Sequence, residues 1–365
     1  MQSWWVLLQQ QWHDFWQINV SERRWELPFA AALASGLPLF IGAYFGHLEY
    51  GLVSSLGGMT FLYLPQTALA HRMVFILCAA MCMSVSFLFG LAVSHFPAVM
   101  VLMITLLTIV LTMLCRYVQV PPPGTVFFLM AAMIGAYMPV DIIDIPYQVG
   151  LLFMGALLAC VVGFFYSLYL GWRDVPAKAI PAAEADMRLV LVDSLIIGVF
   201  VGASLLLAQL WQMERPYWVP VSCAAVIQGI NFRAVWRKQL HRIIGTAAGM
   251  VLAWLLLSQS WNIWALCAVM MLLNMLIETL VVRHYALAVV FITPLTIFLA
   301  EAAGDFSAVN NIIQARLWDT VLGSVMGALG GYCLHKLSLR DWLAQRLSSL
   351  WPLRNFKSET LRSVK

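Results

Sequence analysis

Long apolar runs separated by short polar segments fill the chain from residue 27 to residue 334. Because the hydrocarbon core of a bilayer needs about 20 apolar residues per helix, these runs predict transmembrane helices. The predicted spans are 27–46, 51–65, 73–94, 97–115, 125–140, 149–170, 189–211, 216–230, 239–258, 261–281, 285–300 and 311–334. The second and fifth spans of each group of six are short and interrupted by Pro or Gly, and the pattern does not fix their ends.

A polar segment rich in Ala and Pro divides the twelve predicted spans into two groups of six. The sequence therefore predicts five regions: an N-terminal segment 1–26, a first membrane unit 27–170, a cytoplasmic linker 171–188, a second membrane unit 189–334 and a basic cytoplasmic tail 335–365. Segment 1–26 is rich in Trp and lacks the features of a removable signal peptide. We expect it to form an amphipathic helix at the membrane interface.

The two membrane units resemble two copies of one sequence. "HRMVFILCAAM" from His71 aligns with "HRIIGTAAGMV" from His241, an offset of 170, and "CRYVQV" around Arg116 aligns with "VRHYAL" around Arg283, an offset of 167. Six spans return the chain to the side on which it began. The predicted fold is therefore an all-α polytopic membrane protein with two parallel six-helix repeats, related by an axis along the membrane normal.

Composition and charge support this class and set an orientation. Hydrophobic residues make up 62% of the chain and charged residues 10%, which excludes an ordinary soluble domain. With the N-terminus inside, 19 of the 21 Lys and Arg residues fall on cytoplasmic segments, as the positive-inside rule requires. Arg215 and Arg316 alone lie toward the outside. The net charge of +4 is therefore attributed to the orientation of the chain in the membrane, with both termini cytoplasmic. Nucleic acid is not an expected partner.

The few charges inside the second unit stand beside small residues. In "FRAVWRKQLHRIIGTAAG", helical steps of three and four join Arg242, Gly245 and Gly249, with Thr246 next to them. Such a stripe lets another helix approach closely beneath the guanidinium. The alternative is that the glycines only pack helices and that the basic residues, including those at 233, 237 and 238, only set the topology.

Two further sets of ionisable residues lie at membrane depth, where such groups are costly and often functional. "QARLWDTVLGSVMGALGG" places Arg316 and Asp319 one turn apart, followed by Gly323, Gly327 and Gly331 at four-residue spacing. The alternative for Arg316 and Asp319 is a local pair that neutralises itself. Glu278 could carry a coupling proton, as could Asp319, or it could pair with Arg283.

An aromatic segment precedes the basic stretch. In "ERPYWVPVSCAAVIQG", Pro216 and Pro220 bracket Tyr217 and Trp218, and Gln228 and Asn231 follow. Prolines here are expected to break the helix, which membranes tolerate beside protein or a watery cavity. Aromatic rings and arginines suit a flat organic anion; the alternative is an interfacial aromatic belt. In the first unit the polar candidates are Gln66, His71, Arg72 and Arg116, so the second unit is expected to supply most of the selectivity.

Signatures of enzymes are largely missing from the chain. The sequence has no GxxxxGK[ST] phosphate loop, no HExxH motif and no GxSxG motif. Cys78 and Cys82 have helical spacing but no neighbouring His or Asp cluster, so packing residues are favoured over metal ligands. We therefore expect no catalytic residues, no metal and no cofactor.

The order of these motifs resembles that of the fusaric acid resistance family of bacterial aromatic acid exporters. The likeness is carried by "YWVPVSCAAVIQG", "RAVWRKQLHRIIGTAAGMVLAWLL" and "ARLWDTVLGSVMGALGG", and it covers residues 187–335 well and 25–172 faintly. Family positions carried over to this chain are Tyr217, Trp218, Pro220, Arg242, Gly245, Thr246, Gly249, Arg316 and Gly323. Many relatives also have a large cytosolic domain after each membrane unit, where this chain has a short linker and tail.

This resemblance implies export of small organic, often aromatic, acids across the bacterial inner membrane. It also implies a periplasmic membrane-fusion adaptor as partner, and the glycine faces would allow a homodimer. An ion gradient is the expected driving force, because no nucleotide-binding motif is present. The alternatives are a passive channel for organic anions and a membrane scaffold that transports nothing.

Overall fold

The structure, a computed structural model, describes residues 16, 18–20, 23–179, 186–229, 231–301 and 309–350. Within these ranges all regular elements are helices, which confirms the predicted all-α class for this part of the chain. The first unit contains α1 Glu26–Tyr44, α2 Leu48–Gly58, α3 Leu69–Val93, α4 Met100–Tyr117, α5 Val126–Tyr137 and α6 Ile145–Trp172. The second contains α7 Met187–Leu210, α8 Trp218–Ile227, α9 Phe232–Leu257, α10 Ile263–Leu280, α11 Tyr285–Glu301 and α12 Val309–His335, followed by α13 Leu337–Leu350.

Length and hydropathy allow seven of the described helices to cross a membrane: α1, α3, α4 with the preceding turn, α6 with the preceding turn, α7, α9 and α10. The chain is therefore a multi-pass membrane protein. Shorter apolar helices are Val126–Tyr137, Trp218–Ile227 and Tyr285–Leu299, at three of the four places where the sequence predicted short, interrupted spans. Each predicted span coincides with a helix in the described ranges, but twelve membrane crossings remain a prediction.

Polar side chains define the starts of three helices in the second unit. The carboxylate of Asp186 accepts a hydrogen bond from the N–H of Arg188 at the start of α7. Asn231 and Asn262 accept from Ala234 and Ala265 at the starts of α9 and α10. Each side chain satisfies an N–H that has no partner within its own helix, which fixes where the helix begins.

The helices of the two units pack in the same order. In the first unit α1 packs on α2, α2 on α6, and α3 on both α5 and α6. In the second unit the corresponding pairs are α7 with α8, α8 with α12, and α9 with both α11 and α12. The contacts that join the units also correspond, because α4 packs on α7 and α10 packs on α1.

Equivalent glycines mark equivalent contacts in this scheme. Gly155 of α6 lies against the backbone of Ser54 in α2. Gly323 of α12 lies against α8, where an added Cβ would be 2.6 Å from the Cβ of Ser222. Both the glycines and the serines are 168 positions apart in the chain, close to the offsets of 170 and 167 seen in the sequence.

Small and polar side chains hold the two units together. Asn274 of α10 donates a hydrogen bond to the hydroxyl of Ser35 in α1 at 2.7 Å, and both groups are buried. On the other side of the interface, Gly202 of α7 leaves room for the side chain of Thr105 in α4. Because lipid tails are as apolar as leucine, such close packing and interhelical hydrogen bonds are what favour helix association.

The regions outside the predicted membrane units are described in part. Most of segment 1–26, including its predicted interfacial helix, lies outside the described residues, as does 351–365 of the tail. The described N-terminal residues reach the α10–α11 turn, where the N–H of Asn19 donates to the carbonyl of Arg283 at 2.9 Å. The linker returns toward the first unit, since the N–H of Lys178 donates to the carbonyl of Gln66 at 2.7 Å.

A buried aspartate connects three distant parts of the chain near the linker. Asp193 of α7 is 3% exposed and forms ion pairs with Arg116 at the end of α4 and with Arg340 of α13. The Arg340 contact uses both carboxylate oxygens, at 2.7 and 3.1 Å. This network fixes the C-terminal helix α13 against both membrane units.

We expect Asp193→Asn to lower the stability of the protein by about 2 kcal/mol. Breaking a buried ion pair costs about 3–5 kcal/mol, but both arginines are partly exposed and solvent screens part of that cost. The measurement is the thermal unfolding midpoint of the purified protein in detergent. Asp174→Asn, in the linker, is the control and should leave the midpoint unchanged; equal midpoints for both variants would show that the network does not contribute to stability.

Candidate functional site

Helix α8 is the short element around which the predicted site residues gather. It begins at Trp218, directly after Tyr217, and its ten residues are all buried. The expectation that both prolines break the helix is wrong for Pro220, which lies inside α8 in its first turn. A first-turn N–H has no partner within the helix, so proline is tolerated there.

Glycines of α12 bring its backbone against α8. A Cβ added at Gly327 would lie 2.7 Å from the carbonyl oxygen of Cys223, and one added at Gly323 would lie 2.6 Å from the Cβ of Ser222. Gly331 meets the side chain of Val235 in α9 in the same way. The three glycines therefore lie along one side of α12, where this helix packs against α8 and α9.

Glycines of α9 do the same against α11. Added Cβ atoms at Gly245 and Gly249 would lie 2.6 Å from the carbonyl of Ala286 and 2.7 Å from that of Val290. Thr246 is buried beside them. Helix α9 thus passes close to α11 one turn after Arg242, where the sequence placed the small-residue stripe.

Arg242 lies between α8 and α11 and is 6% exposed. One terminal nitrogen donates to the hydroxyl of Tyr285 at 3.0 Å and the other to the hydroxyl of Ser222 at 3.1 Å. Its Nε has no hydrogen-bond partner among the described residues. The guanidinium is therefore held by neutral hydroxyl groups.

Arg316 reaches the same two helices from α12 and is 5% exposed. Its Cζ lies 3.7 Å from the ring centroid of Trp218, within the range of a cation–π interaction. One terminal nitrogen donates to the hydroxyl of Thr296 in α11 at 3.2 Å, and the other has no hydrogen-bond partner among the described residues. Within the described part of the chain, no carboxylate is hydrogen-bonded to this arginine either.

Two charges act on Arg316: the like charge of Arg242 and the opposite charge of Asp319. Two like charges in a low-dielectric interior are costly unless an opposite charge accompanies them. Their hydrogen-bond partners in the described structure are the hydroxyls of Ser222, Tyr285 and Thr296. Asp319 supplies one negative charge for two guanidiniums, so the arrangement favours an anion that would accept from the remaining N–H groups.

Asp319 is fully buried one turn after Arg316 on α12. Both of its carboxylate oxygens lack a hydrogen-bond partner among the described residues, so the local pair considered from the sequence does not form a hydrogen bond. Asp319 lines a cavity of about 600 Å³ with an otherwise largely apolar wall, including Trp211, Met213 and Trp318. The cavity lies beside the C-terminal end of α7.

Glu278 has a different partner from the one considered in the sequence. Its carboxylate forms an ion pair with Arg23 at 3.1 Å, and the same nitrogen of Arg23 also donates to the carbonyl of Glu278 at 3.3 Å. Glu278 and Arg23 line a second cavity, of about 580 Å³, at the end of the helices that carries the linker. Arg283 instead accepts, through its carbonyl, the hydrogen bond of Asn19.

Three other candidate residues lie at the borders of α8 and α9. Gln228 donates to the hydroxyl of Thr125 in the first unit at 2.6 Å. Asn231 caps α9 and is exposed. The ring of Tyr217 lies 5.2 Å from that of Trp218 and 5.7 Å from that of Tyr137 in the first unit. Gln228 and Asn231 therefore make structural contacts, whereas Tyr217 stays beside the arginine site.

Sequence reasoning missed the three hydroxyl residues that hold the guanidiniums. Ser222 follows Trp218 by four positions, so helical spacing alone would have placed both on one face of α8. Tyr285 and Thr296 carry no such signal, because their positions depend on how α11 packs against α9 and α12.

The part of the chain that the structure describes contains seven helices long and apolar enough to cross a membrane, which places the protein in the class of polytopic membrane proteins. Residues 196–330 match the family described as "Fusaric acid resistance protein-like". The resemblance indicated by the motifs is therefore confirmed over this part of the second unit, which holds Arg242, Arg316 and all of α8.

One curated relative extends the similarity to both units. The chain is 20% identical, over 464 aligned positions, to "Uncharacterized membrane protein YvaC" of Bacillus subtilis (strain 168). The match covers 87% of this chain and 74% of the relative. No solved structure matches the chain.

We expect Gly323→Ala to destabilise the protein by about 1–3 kcal/mol, because the new methyl group would overlap the backbone of α8 and force the helices apart. Gly150→Ala in α6 is the matched control, since nothing lies within 4 Å of its added Cβ. Thermal unfolding in detergent should show a lower midpoint for the first variant and an unchanged or slightly higher one for the second. Equal midpoints would rule out a close α8–α12 contact.

Proposed function

We propose that the protein exports small organic acids, chiefly aromatic ones, across the bacterial inner membrane and uses an ion gradient to do so. The observation that carries this proposal is the pair of buried guanidiniums at Arg242 and Arg316, each with an N–H that lacks a partner in the described structure. The match to the fusaric acid resistance family over the same helices supports an efflux role.

The chemistry of the arginine site suits an aromatic carboxylate better than a simple inorganic anion. A carboxylate accepts two parallel hydrogen bonds from guanidinium groups. Trp218 and Tyr217 place aromatic rings next to Arg316. Trp218 is 4% exposed, so a substrate ring would stack there once the helices move apart during transport. Binding would bring a negative charge to two buried positive ones.

The fold we propose for this activity has twelve membrane crossings in two parallel repeats. The corresponding packing order of the two units supports it, as do Gly155 and Gly323, which contact serines at the same offset. The distribution of Lys and Arg supports cytoplasmic termini. Transport then needs no covalent chemistry, only movement of one unit against the other.

Two carboxylates are candidates for ion coupling. Asp319 has no hydrogen-bond partner in the described structure and lines a cavity, so a proton could reach and leave it without breaking an ion pair. Glu278 is held by Arg23. We therefore assign the main coupling role to Asp319 and propose a proton as the ion.

The proposed exporter would act with partners. A periplasmic membrane-fusion adaptor would carry the substrate onward, as the family resemblance implies. A homodimer is the second proposed association. The glycine faces expected to mediate it pack within the chain instead, so the dimer would use helix faces whose large apolar side chains are exposed, such as Val251, Trp254 and Leu255 of α9. Lipid would cover these faces in a monomer.

Replacement of either arginine should reduce transport. We expect Arg316→Ala and Arg242→Ala to lower the initial rate about 10- to 100-fold, because a hydrogen bond to a charged group contributes about 1.5–3 kcal/mol. The measurement is uptake of labelled p-hydroxybenzoate into inside-out vesicles with an imposed proton gradient. Protein-free vesicles are needed as a blank, since the neutral form of a weak acid crosses bilayers unaided.

Arg233→Ala is the matched control, because Arg233 is on the same helix as Arg242 but is exposed. It should transport like the unchanged protein. If both buried-arginine variants insert normally and transport at the unchanged rate, the exporter proposal is wrong and a scaffold is favoured. Movement that only dissipates the substrate gradient, whatever the proton gradient, would instead identify a channel.

Asp319→Asn should separate substrate movement from the proton gradient. We expect this variant to exchange labelled for unlabelled substrate across the vesicle membrane but to lose accumulation against a gradient, because it can no longer carry the proton. Glu214→Gln is the control, since Glu214 lines the same cavity from an exposed position. Accumulation that survives Asp319→Asn would exclude this residue as the coupling site.

A further inference from the structure

The cavity of about 580 Å³ at the linker end is built from both membrane units and from the linker itself. The first unit contributes Phe61, Phe75 and Tyr117, the second contributes Glu278, and the linker contributes Lys178. The volume falls within the range of about 300–1,000 Å³ that is typical of small-molecule sites. The sequence predicts only a cytoplasmic linker for 171–188 and most of the selectivity for the second unit, so this cavity is a feature that the structure adds.

A backbone contact fixes the position of Lys178 at this cavity. Its N–H donates to the carbonyl of Gln66 at 2.7 Å, which holds the linker against the loop before α3. The Lys178 side chain is exposed, and among the described residues its ammonium has no ion-pair partner. A fixed backbone with an available ammonium at the cavity wall is suited to an anionic ligand.

The charges on the cavity wall do not balance. Arg23 and Lys178 are positive, whereas Glu278 is the one carboxylate among the described lining residues. That carboxylate is already engaged with Arg23, and its side chain is 10% exposed. One positive charge therefore remains without a counter-charge on the wall, so the cavity attracts anions.

Aromatic side chains and proline rings line part of the cavity, together with aliphatic and uncharged polar side chains. Phe61 is buried, Phe75 is half-buried and Tyr117 is 49% exposed. The imidazole of His71 lies 5.8 Å from the ring of Phe75, and its Nδ1 is 2.7 Å from the hydroxyl of Thr67. Flat apolar surfaces next to a cation suit a ligand that has a ring at one end and a negative charge at the other.

We propose that this cavity binds a single-ring aromatic monocarboxylate, with the carboxylate between Lys178 and Arg23 and the ring against Phe75 and Tyr117. This inference rests on the proposed function, because it assigns the site at which the exported acid enters from the linker side. The site is distinct from the arginine site beside α8, which uses other helices.

Glu278 acts as a competitor in this arrangement. Its carboxylate occupies the guanidinium of Arg23 that a bound acid would also contact. Removal of its negative charge should therefore strengthen ligand binding, whereas removal of the Lys178 charge should weaken it. A general loss of structure would weaken ligand binding in both variants, so opposite effects of the Glu278 and Lys178 changes would point to the charges themselves.

The experiment is calorimetric titration of benzoate into the purified full-length protein in lipid nanodiscs. We expect Lys178→Gln to raise the dissociation constant about tenfold, equivalent to about 1.4 kcal/mol, and Glu278→Gln to lower it several-fold. Acetate, which lacks the ring, should bind at least about tenfold more weakly than benzoate. Arg173→Gln, an exposed change in the same linker but outside the cavity, should bind benzoate like the unchanged protein.

The inference is overturned if Lys178→Gln and Arg173→Gln bind benzoate equally well, or if benzoate does not bind the unchanged protein. Benzoate binding that is lost in Arg316→Ala but kept in Lys178→Gln would place the ligand beside α8; the cavity proposal would then fail while the proposed function stands. If benzoate binding depends on Lys178 but the protein transports no acid, the cavity proposal stands and the proposed function fails.

Discussion

The contact between α8 and α12 determines where the candidate side chains lie. Helices in lipid gain little from burying apolar surface, so their association depends on close packing and interhelical hydrogen bonds. Gly323 and Gly327 let the backbone of α12 reach the backbone of α8, and no larger residue would fit there without a shift. The same approach carries Arg316 onto the ring of Trp218 at 3.7 Å. Arg316 can therefore lie in the protein interior, because the glycines that follow it on α12 have no side chains to keep α12 away from α8.

The two units share this scheme but differ in chemistry. In the first unit Gln148 stands 168 positions before Arg316, and Gly155 contacts Ser54 as Gly323 contacts Ser222. Arg72, 170 positions before Arg242, is also buried with an Nε that lacks a partner in the described structure. The packing therefore has the same form in both units, whereas only the second brings two guanidiniums to one short helix. The corresponding packing with unequal polar groups agrees with a sequence that predicts a repeat while placing most of the candidate chemistry in one half.

The sequence was sufficient for the order of the helices and for the glycine spacing, because both are local properties of one segment. It was insufficient for the partners of the charged groups. Glu278 pairs with Arg23, 255 positions away, and Asp193 with Arg340, 147 positions away. A helix that faces lipid is apolar on most sides, so its hydrophobic periodicity does not fix its rotation about its own axis. The sequence could therefore place arginine on α9 and α12 but could not assign Tyr285 and Thr296 as the groups that hold it.

The positive groups of both candidate sites lie at successive depths between the linker end of the helices and the far end of α7. Lys178 and Arg23 lie at the linker end, and Arg242 is ten residues into α9, which is about 15 Å along the axis. Arg316 enters from the opposite end on α12, and Asp319 lines the cavity beside the far end of α7. Asp319 is three residues further into α12 than Arg316, about 4.5 Å along the axis, so an anion moving outward would meet the arginine site and the carboxylate at nearly the same depth. Because like charges repel more strongly where water is scarce, a charged Asp319 would weaken the binding of an anion at the arginine site, and protonation of Asp319 would remove that repulsion. The proposed coupling of anion and proton would follow from this repulsion, and the imposed ion gradient would then set the direction of transport.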